Sequence, residues 1–410
     1  MRIGLIGYPL GHSWSKEIHG FLIHEDYQMW ELPEEELEGF LTRREFDGIN
    51  VTIPYKQKVM TYLDELTPEA KAIGAVNCIL NKNGRLIGYN TDYLGFERML
   101  KKNGFDFNGK NVAVLGSGGA SKAVQYAIKE MGGIPQVISR TKKVEGSISY
   151  EEMYEKEAEF SCLVNATPVG MYPNVEDSPV ELNKFSRLES VVDIIANPLR
   201  TSLLFDGKMM GLKTLGGLEM LVAQALSADE IFTGRTMDDA LIDACLTHLL
   251  KQRRNLVLIG MPSSGKSTLS ALLSEKTGKE VIEMDQKIVE TIGMSIAEYF
   301  RLYGENEFRN RESEEALTLR FETGKIISTG GGIIKRRENL RNLAYNGYVV
   351  WIDRPLKYLF ASSDRPLSSD MNAVRKLYEE RKGLYAADCD LHLANDTDLD
   401  SCLRILEDYV

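Results

Sequence analysis

Long apolar runs are missing from this chain: no segment reaches the roughly 18 consecutive apolar residues needed to span a bilayer, so no membrane partner is expected. Cysteine is sparse, with five residues at 78, 162, 245, 389 and 402 and no C-x-x-C pair. That spacing argues against a disulfide framework or a zinc ribbon and fits reduced thiols in a cytoplasmic protein. Histidine is equally scarce, and the five at 12, 19, 24, 248 and 392 have no metal-ligand spacing. His12 and His19, seven apart, are expected to cap or pack. Basic residues are outnumbered, 49 against 60 acidic, for a net charge of −11. Such a surface does not favour nucleic acid or anionic membrane, although a few local Lys and Arg suffice for small anionic ligands. The first residues, Met1–Gly7, are apolar but stop at Pro9-Leu-Gly-His-Ser13, and are expected to be a buried strand rather than a secretory leader.

What is present is ordinary in bulk: 43% hydrophobic and 27% charged residues, the composition of a globular protein. At 410 residues the chain exceeds one core and predicts two or three domains of roughly 100–200 residues each. Two glycine loops then stand out. Gly116-Ser-Gly-Gly-Ala120 follows the apolar run Asn111–Leu115 and opens a helical stretch at 123–128. This strand, turn and helix are of the dinucleotide-binding kind, with Gly116, Gly118, Gly119 and Ala120 expected at the cofactor. Gly260-Met-Pro-Ser-Ser-Gly-Lys-Ser267 follows Leu256–Ile259 and opens a helix at Thr268. That is a P-loop, whose Gly260, Ser263, Ser264, Gly265, Lys266, Ser267 and Thr268 are expected to cradle the phosphates of ATP. Lys266 would reach the β- and γ-phosphates, and the Ser267 hydroxyl would bind Mg²⁺.

An NAD site usually offers an acidic residue about 20 positions after its glycine loop, for the ribose 2′-hydroxyl. Here the next strand ends in Ser139-Arg-Thr-Lys-Lys143 with no carboxylate. Ser139, Arg140, Thr141 and Lys143, with Lys142, would meet a 2′-phosphate instead, so the expected dinucleotide is NADP(H).

The remaining pattern is α/β throughout. Short apolar runs alternate with helical stretches from 1 to 95, and strands are expected at 112–115, 136–139, 162–165 and 190–195. The spacing predicts a Rossmann-like, doubly wound parallel sheet over 96–216. Residues 217–250 read as helical and are assigned with 1–95 to a substrate-binding domain. A short charged joint at 251–254 would lead into a P-loop parallel-sheet domain, of the nucleoside monophosphate kinase-like type, over 255–410.

Six segments now carry a resemblance. Gly7-Tyr-Pro-Leu-Gly-His-Ser-Trp-Ser15, Gly48-Ile-Asn-Val-Thr-Ile-Pro-Tyr-Lys56, Ile73-Gly-Ala-Val-Asn77, Gly88-Tyr-Asn-Thr-Asp92, Asn165-Ala-Thr-Pro-Val-Gly-Met171 and Gly217-Leu-Glu-Met-Leu-Val-Ala-Gln224 resemble, in order, the signatures of shikimate dehydrogenases. The resemblance covers roughly residues 1–250. It implies reduction of 3-dehydroshikimate to shikimate with NADPH. Ser13 and Ser15 would hold the substrate carboxylate, Asn50 would sit among the substrate contacts, and Thr52, Asn77 and Gln224 would hold hydroxyls. Lys56 and Asp92 would be the catalytic pair, and Gly217 would lie at the cofactor. A lysine beside an aspartate suits this chemistry, because hydride transfer to a ketone leaves an alkoxide that needs a proton and a nearby positive charge. The chain departs from the family at Lys16, at Gly20, and at Ala196, where a Tyr is usual.

Glu283-Met-Asp285, Phe308-Arg309, Gly330-Gly-Gly332, Asp364-Arg-Pro-Leu367 and Arg381-Lys-Gly-Leu-Tyr385 are similar, at their spacings, to shikimate kinases. That resemblance implies that Asp285 activates the attacking hydroxyl and that Arg309 and Arg381 clamp the substrate carboxylate. Backbone amides of Gly330, Gly331 and Gly332 would approach the substrate, and Arg365, on a lid, would stabilise the transferring phosphoryl. Glu283, where an Asp is usual, would hold Mg²⁺ through water. The lid segment, 357–364, is a few residues short and lacks the Arg that usually packs near adenine.

The product of the first implied reaction is the substrate of the second. The expectation is therefore a bifunctional enzyme of aromatic amino-acid biosynthesis, with no statement about its oligomeric state. Two other readings stay open on the sequence. One is a broader quinate/shikimate dehydrogenase fused to a kinase. The other is a chain with one catalytic half and one half that binds metabolites without turnover.

Overall fold

The structure, a computed structural model, describes residues 1–11, 13–141, 145–360, 367, 370–396 and 399–410. The chain forms two compact units: Met1–Asn197 with Asp206–Thr247, and Pro198–Phe205 with His248–Val410.

The first unit contains two sheets. One is mixed, with β1 (Ile3–Gly7), β2 (Tyr27–Glu31), β3 (Gly48–Val51), β4 (Glu65–Leu66), β5 (Cys78–Lys82) and β6 (Arg85–Tyr89) in the order β2-β1-β3-β5-β6-β4. Strands β1, β2 and β3 run parallel, and β5 is antiparallel to both β3 and β6. Ile3, Ile6, Ile49 and Val51 are buried in these strands, as expected for apolar β runs covered on both faces. The segment Gly48-Ile-Asn-Val-Thr-Ile53 ends as a strand at Val51. Pro54 has no N–H to continue a ladder, and Tyr55 N instead closes a turn onto Thr52 O at 2.9 Å.

The second sheet is fully parallel: β7 (Asn111–Leu115), β8 (Ile134–Ile138), β9 (Cys162–Asn165), β10 (Ser190–Asp193) and β11 (Lys213–Gly216), ordered β11-β10-β9-β7-β8. The chain leaves β7 toward β8 on one side and later returns to β9 on the other. The glycine loop after β7 therefore lies at the switch point, where open α/β sheets bind ligands.

The helices Asp92–Lys102 and Leu218–Thr233 pack closely in this unit. A Cβ added at Gly95 would come within 2.6 Å of the Gln224 backbone nitrogen. Only glycine permits that approach, and it brings the helix start at Asp92 close to Gln224.

The second unit is built on a parallel sheet of β12 (Asn255–Ile259), β13 (Val281–Glu283), β14 (Ile326–Ser328), β15 (Gly347–Asp353) and β16 (Leu391–Ala394), ordered β13-β14-β12-β15-β16. Leu256, Leu258, Ile326, Val350 and Ile352 pack with Leu269, Leu273, Leu403 and Leu406 into its core. The P-loop helix is Lys266–Thr277. The segment expected as a joint, 251–254, contains the end of the helix Ala240–Arg253. Lys, Gln and Arg are good helix formers, and no Gly or Pro interrupts them.

Among the described residues, no helix is long and apolar enough to cross a membrane. No disulfide forms among the described residues, and Cys78, Cys162, Cys245 and Cys402 are buried.

Candidate active sites

In the first unit the ends of β1, β3 and β5 and the starts of the two close-packed helices surround a cavity of about 460 Å³. Ser13, Ser15, Asn50, Thr52, Lys56, Asn77, Asp92, Ala120, Ala196, Gly217 and Gln224 all line it. Every substrate-side residue expected from the sequence of this half therefore meets in one place. The turn after β3 exposes Lys56, whose Nζ donates to Asp92 Oδ2 at 2.6 Å. Asp92 opens its helix, where the positive end of the macrodipole favours a carboxylate. Its other oxygen accepts from Asn77 Nδ2 at 2.9 Å.

Asn77 is nearly fully buried and also donates to Thr91 Oγ1 at 3.0 Å, while its Oδ1 accepts from Thr91 N. Gln224 Oε1 accepts from Asn77 and from Thr91 Oγ1, both at 3.4 Å, and its Nε2 donates to Leu221 O at 2.8 Å. Ser13 Oγ donates to Ser15 Oγ at 3.0 Å. Apart from Lys56 and Asp92, the described residues that line the cavity are neutral. Sequence reasoning missed Thr91, although it precedes Asp92 within a quoted motif.

The β7 loop borders this cavity through Ala120, and the nearest atom to a Cβ built on Gly119 is Lys56 Cδ, at 4.0 Å. Gly116 adopts φ 101°, and a Cβ built on Gly118 meets nothing within 4 Å. An open, glycine-bordered helix start is a fit for a pyrophosphate. Ser139 is buried past the end of β8, and Arg140 and Thr141 are exposed beside it. Lys142 and Lys143, expected at the same phosphate, lie outside the described residues, as does His12.

In the second unit a cavity of about 550 Å³ opens over the P-loop. It is lined by Ser263, Ser264, Gly265, Lys266, Ser267, Thr268, Glu283, Asp285, Arg309, Gly330, Gly331, Gly332 and Arg381. Gly260, at φ 146°, lies just behind the loop with its backbone against Ile352 O. Lys266 Nζ donates to the carbonyls of Gly260 and Met261, each at 2.9 Å. Ser267 Oγ donates to Glu283 Oε2 at 3.1 Å, and Ser270 Oγ donates to Glu283 Oε1 at 3.0 Å. A hydroxyl beside a carboxylate is the hard oxygen set that Mg²⁺ takes together with water and phosphate, so the residues fit that ion. Ser270, one turn along the P-loop helix, was not anticipated; it supports the longer side chain that Glu283 has in place of Asp.

Arg309 is buried, donates to Glu305 Oε1 at 2.9 Å through Nη2, and pairs with Glu312 through Nη1. Burial pushes the Glu312 carboxyl up, and the Arg309 charge opposes it. Glu312 lines the cavity and was also missed; its position three residues after Arg309, on one helix face, was the available signal. A Cβ at Gly332 would collide with the Arg309 guanidinium, and one at Gly330 would lie 2.5 Å from Asp285 Oδ1. These glycines therefore let the charged side chains lie against the turn. Arg381 is buried and donates through Nη1 to Gly331 O at 2.8 Å. Its Nε and Nη2 have no hydrogen-bond partner among the described residues. Buried guanidinium donors at a cavity are a fit for a carboxylate. Arg365 and residues 361–364 of the expected lid lie outside the described residues; Phe360, within the described part of that segment, and Arg354, before it, line the cavity.

Comparison with known proteins bears on both units. Residues 5–79 match the family described as the shikimate dehydrogenase substrate binding domain, and residues 262–409 match the family described as shikimate kinase. The chain is 40% identical over 256 residues to shikimate dehydrogenase (NADP(+)) of Clostridium beijerinckii, covering 58% of this chain and 94% of that protein. Among solved structures it resembles shikimate dehydrogenase 1 from Peptoclostridium difficile, with 39% identity, a TM-score of 0.56, and coverage of 61% of this chain and 98% of that one. It also resembles shikimate 5-dehydrogenase from Thermus thermophilus in complex with NADP(H) and shikimate. There the identity is 36% and the TM-score 0.56, with 61% of this chain and all of that one covered.

Proposed function

The chain belongs to the shikimate dehydrogenase family over its first part and carries a shikimate kinase domain after it, and from that premise we propose that it makes shikimate and then phosphorylates it. The two reactions are reduction of 3-dehydroshikimate with NADPH and conversion of shikimate to shikimate 3-phosphate with MgATP. The observation that carries this reading is that each expected constellation closes around its own cavity: Lys56 on Asp92 in one, and the P-loop with Asp285, Arg309 and Arg381 in the other.

In the first cavity, the β7 loop would hold NADPH, which would supply the hydride to the ketone carbon. The Lys56 ammonium donates the proton that the developing alkoxide takes up, and Asp92 keeps that ammonium aimed. Asn77 fixes the Asp92 rotamer and, with Thr52 and Gln224, meets the ring hydroxyls. Asn50 sits beside them as a further donor. Ser13 and Ser15 hold the carboxylate. Arg140 and Lys143 receive the 2′-phosphate.

In the second cavity, Arg309 and Arg381 hold the shikimate carboxylate, and Asp285 takes the proton of the attacking hydroxyl as its oxygen bonds to the γ-phosphorus. The bond to the ADP oxygen breaks in the same displacement. Lys266 and Arg365 stabilise the charge carried by the transferring group, and Ser267 and, through water, Glu283 would hold Mg²⁺. Cysteines that form no disulfide among the described residues accord with a cytoplasmic setting.

Two separate assays test the proposal. NADPH should be consumed with 3-dehydroshikimate in the absence of ATP, and ADP should be released with shikimate in the absence of NADPH. Silence in either assay overturns the reading for that unit.

A further inference from the structure

Beneath the first cavity lies a chain of buried polar side chains that the reduction does not itself use. Asp229, on the helix Leu218–Thr233, is fully buried. Its Oδ1 lies 2.7 Å from His19 Nδ1, and its Oδ2 has no partner among the described residues. His19, on the helix Ser15–Ile23, is 1% exposed and stacks on Tyr27 with ring centroids 4.1 Å apart and planes at 5°. Tyr27, on β2, is also 1% exposed and donates to Asn50 Oδ1 at 2.8 Å. Asn50 Nδ2 donates in turn to Asn77 O at 3.3 Å, and Asn50 lines the cavity.

A buried carboxylate with one unpaired oxygen is costly, and a site that needed only packing would be better filled by an apolar residue. The arrangement must therefore do something besides fill space. Its last link is specific. A tyrosine hydroxyl has one hydrogen, and burial first, then the Asp229 charge, holds the Tyr27 phenol well above the usual tyrosine range, so that hydrogen is kept. Donation by Tyr27 identifies the accepting atom of Asn50 as its oxygen and turns the amide nitrogen toward the Asn77 carbonyl. One amide hydrogen and one oxygen lone pair of Asn50 then remain for a ligand.

We propose that Asp229, His19 and Tyr27 form a strut of positioning residues that locks the Asn50 carboxamide in the orientation that binds 3-dehydroshikimate. Asp229 sets the direction of the His19 ring, the ring holds Tyr27 flat against it, and the Tyr27 hydroxyl fixes Asn50. The strut rests on the dehydrogenase reading and adds to it a determinant of substrate affinity outside the cavity.

Steady-state kinetics of the full chain test it, with KM measured separately for 3-dehydroshikimate and for NADPH. Tyr27→Phe keeps the ring and stack but removes the hydroxyl. It should raise KM for 3-dehydroshikimate about three- to tenfold, the value of one hydrogen bond, with kcat within about twofold and KM for NADPH unmoved. Combined with Asn50→Ala, it should add nothing to the effect of Asn50→Ala alone. Asp229→Leu should share the rise, and Asp229→Asn, which keeps an acceptor for His19, should recover most of it. Additive effects, a parallel change in KM for NADPH, or an unchanged KM in Tyr27→Phe overturns the strut. Wild-type protein that leaves 3-dehydroshikimate unreduced overturns the dehydrogenase reading, and the strut's role with it.

Discussion

Among the described residues, the lining of the first cavity carries one ion pair, Lys56 with Asp92, and is otherwise neutral, with hydroxyls and carboxamides from Ser13, Ser15, Asn50, Thr52, Asn77 and Gln224. The second is lined by Lys266, Arg309, Arg354 and Arg381 against Glu283, Asp285 and Glu312. If shikimate leaves one and enters the other, the contrast follows from what each reaction moves. Reducing a ketone develops a single negative charge, which one lysine neutralises as it gives up its proton. Phosphoryl transfer brings a polyanion into the site and spreads charge over equatorial oxygens, so cations must surround it. The carboxylates in turn keep those cations paired and oriented while buried.

The sharpest way to break this comparison is to remove one lysine at a time. Lys56→Ala should lower reduction by about three orders of magnitude and leave phosphorylation within about twofold, and Lys266→Ala should do the reverse. If either substitution silenced both reactions in a folded protein, two independent sites would be the wrong picture. A smaller loss is expected at the guanidinium that reaches the second cavity. Arg381→Lys keeps the charge but not the planar fork, and should raise KM for shikimate in phosphorylation by about tenfold or more.

The neutral contacts of the first cavity should matter less. Gln224→Ala or Ser13→Ala should raise KM for 3-dehydroshikimate about three- to tenfold, as for one uncharged hydrogen bond; losses as large as that of Arg381→Lys would erase the distinction between the two sites. The smallest effect concerns stability. Burial first, then Arg254 and Lys251, lowers the Lys279 ammonium to about 8, and its Nζ donates to Arg254 O at 3.2 Å. From that value up to the usual lysine range, the unfolded chain binds more protons than the folded one, so folding of the second unit should strengthen as pH rises. Lys279→Gln should flatten that rise, read as the pH dependence of its melting, without altering the first unit's transition.

Much of this was legible in the sequence, for reasons particular residues make plain. Strands β7 and β12 are short apolar runs that end in glycine loops, and the resulting phosphate geometry is local. Lys56 and Asp92, by contrast, are brought together by tertiary structure: a turn after β3 and a helix start that can approach Gln224 because Gly95 has no side chain. Their pairing was accessible only through resemblance. Thr91, Ser270 and Glu312 escaped notice because each acts by holding a neighbour, and an ordinary Thr, Ser or Glu on a helix carries no mark of that work. Asp229 was hidden for the same reason, since only its complete burial beside His19 distinguishes it from a surface acid. The charged stretch 251–254 has no Gly or Pro to interrupt it, and three of its residues continue the helix Ala240–Arg253.

One chain is expected to perform both reactions in order. The most direct measurement is mass spectrometry of the products formed when purified protein meets 3-dehydroshikimate, NADPH and MgATP together. Shikimate 3-phosphate is the expected end product, with NADPH consumed and ADP released in equal amounts. Accumulation of shikimate with no phosphorylated product, or recovery of unreacted 3-dehydroshikimate, would contradict it.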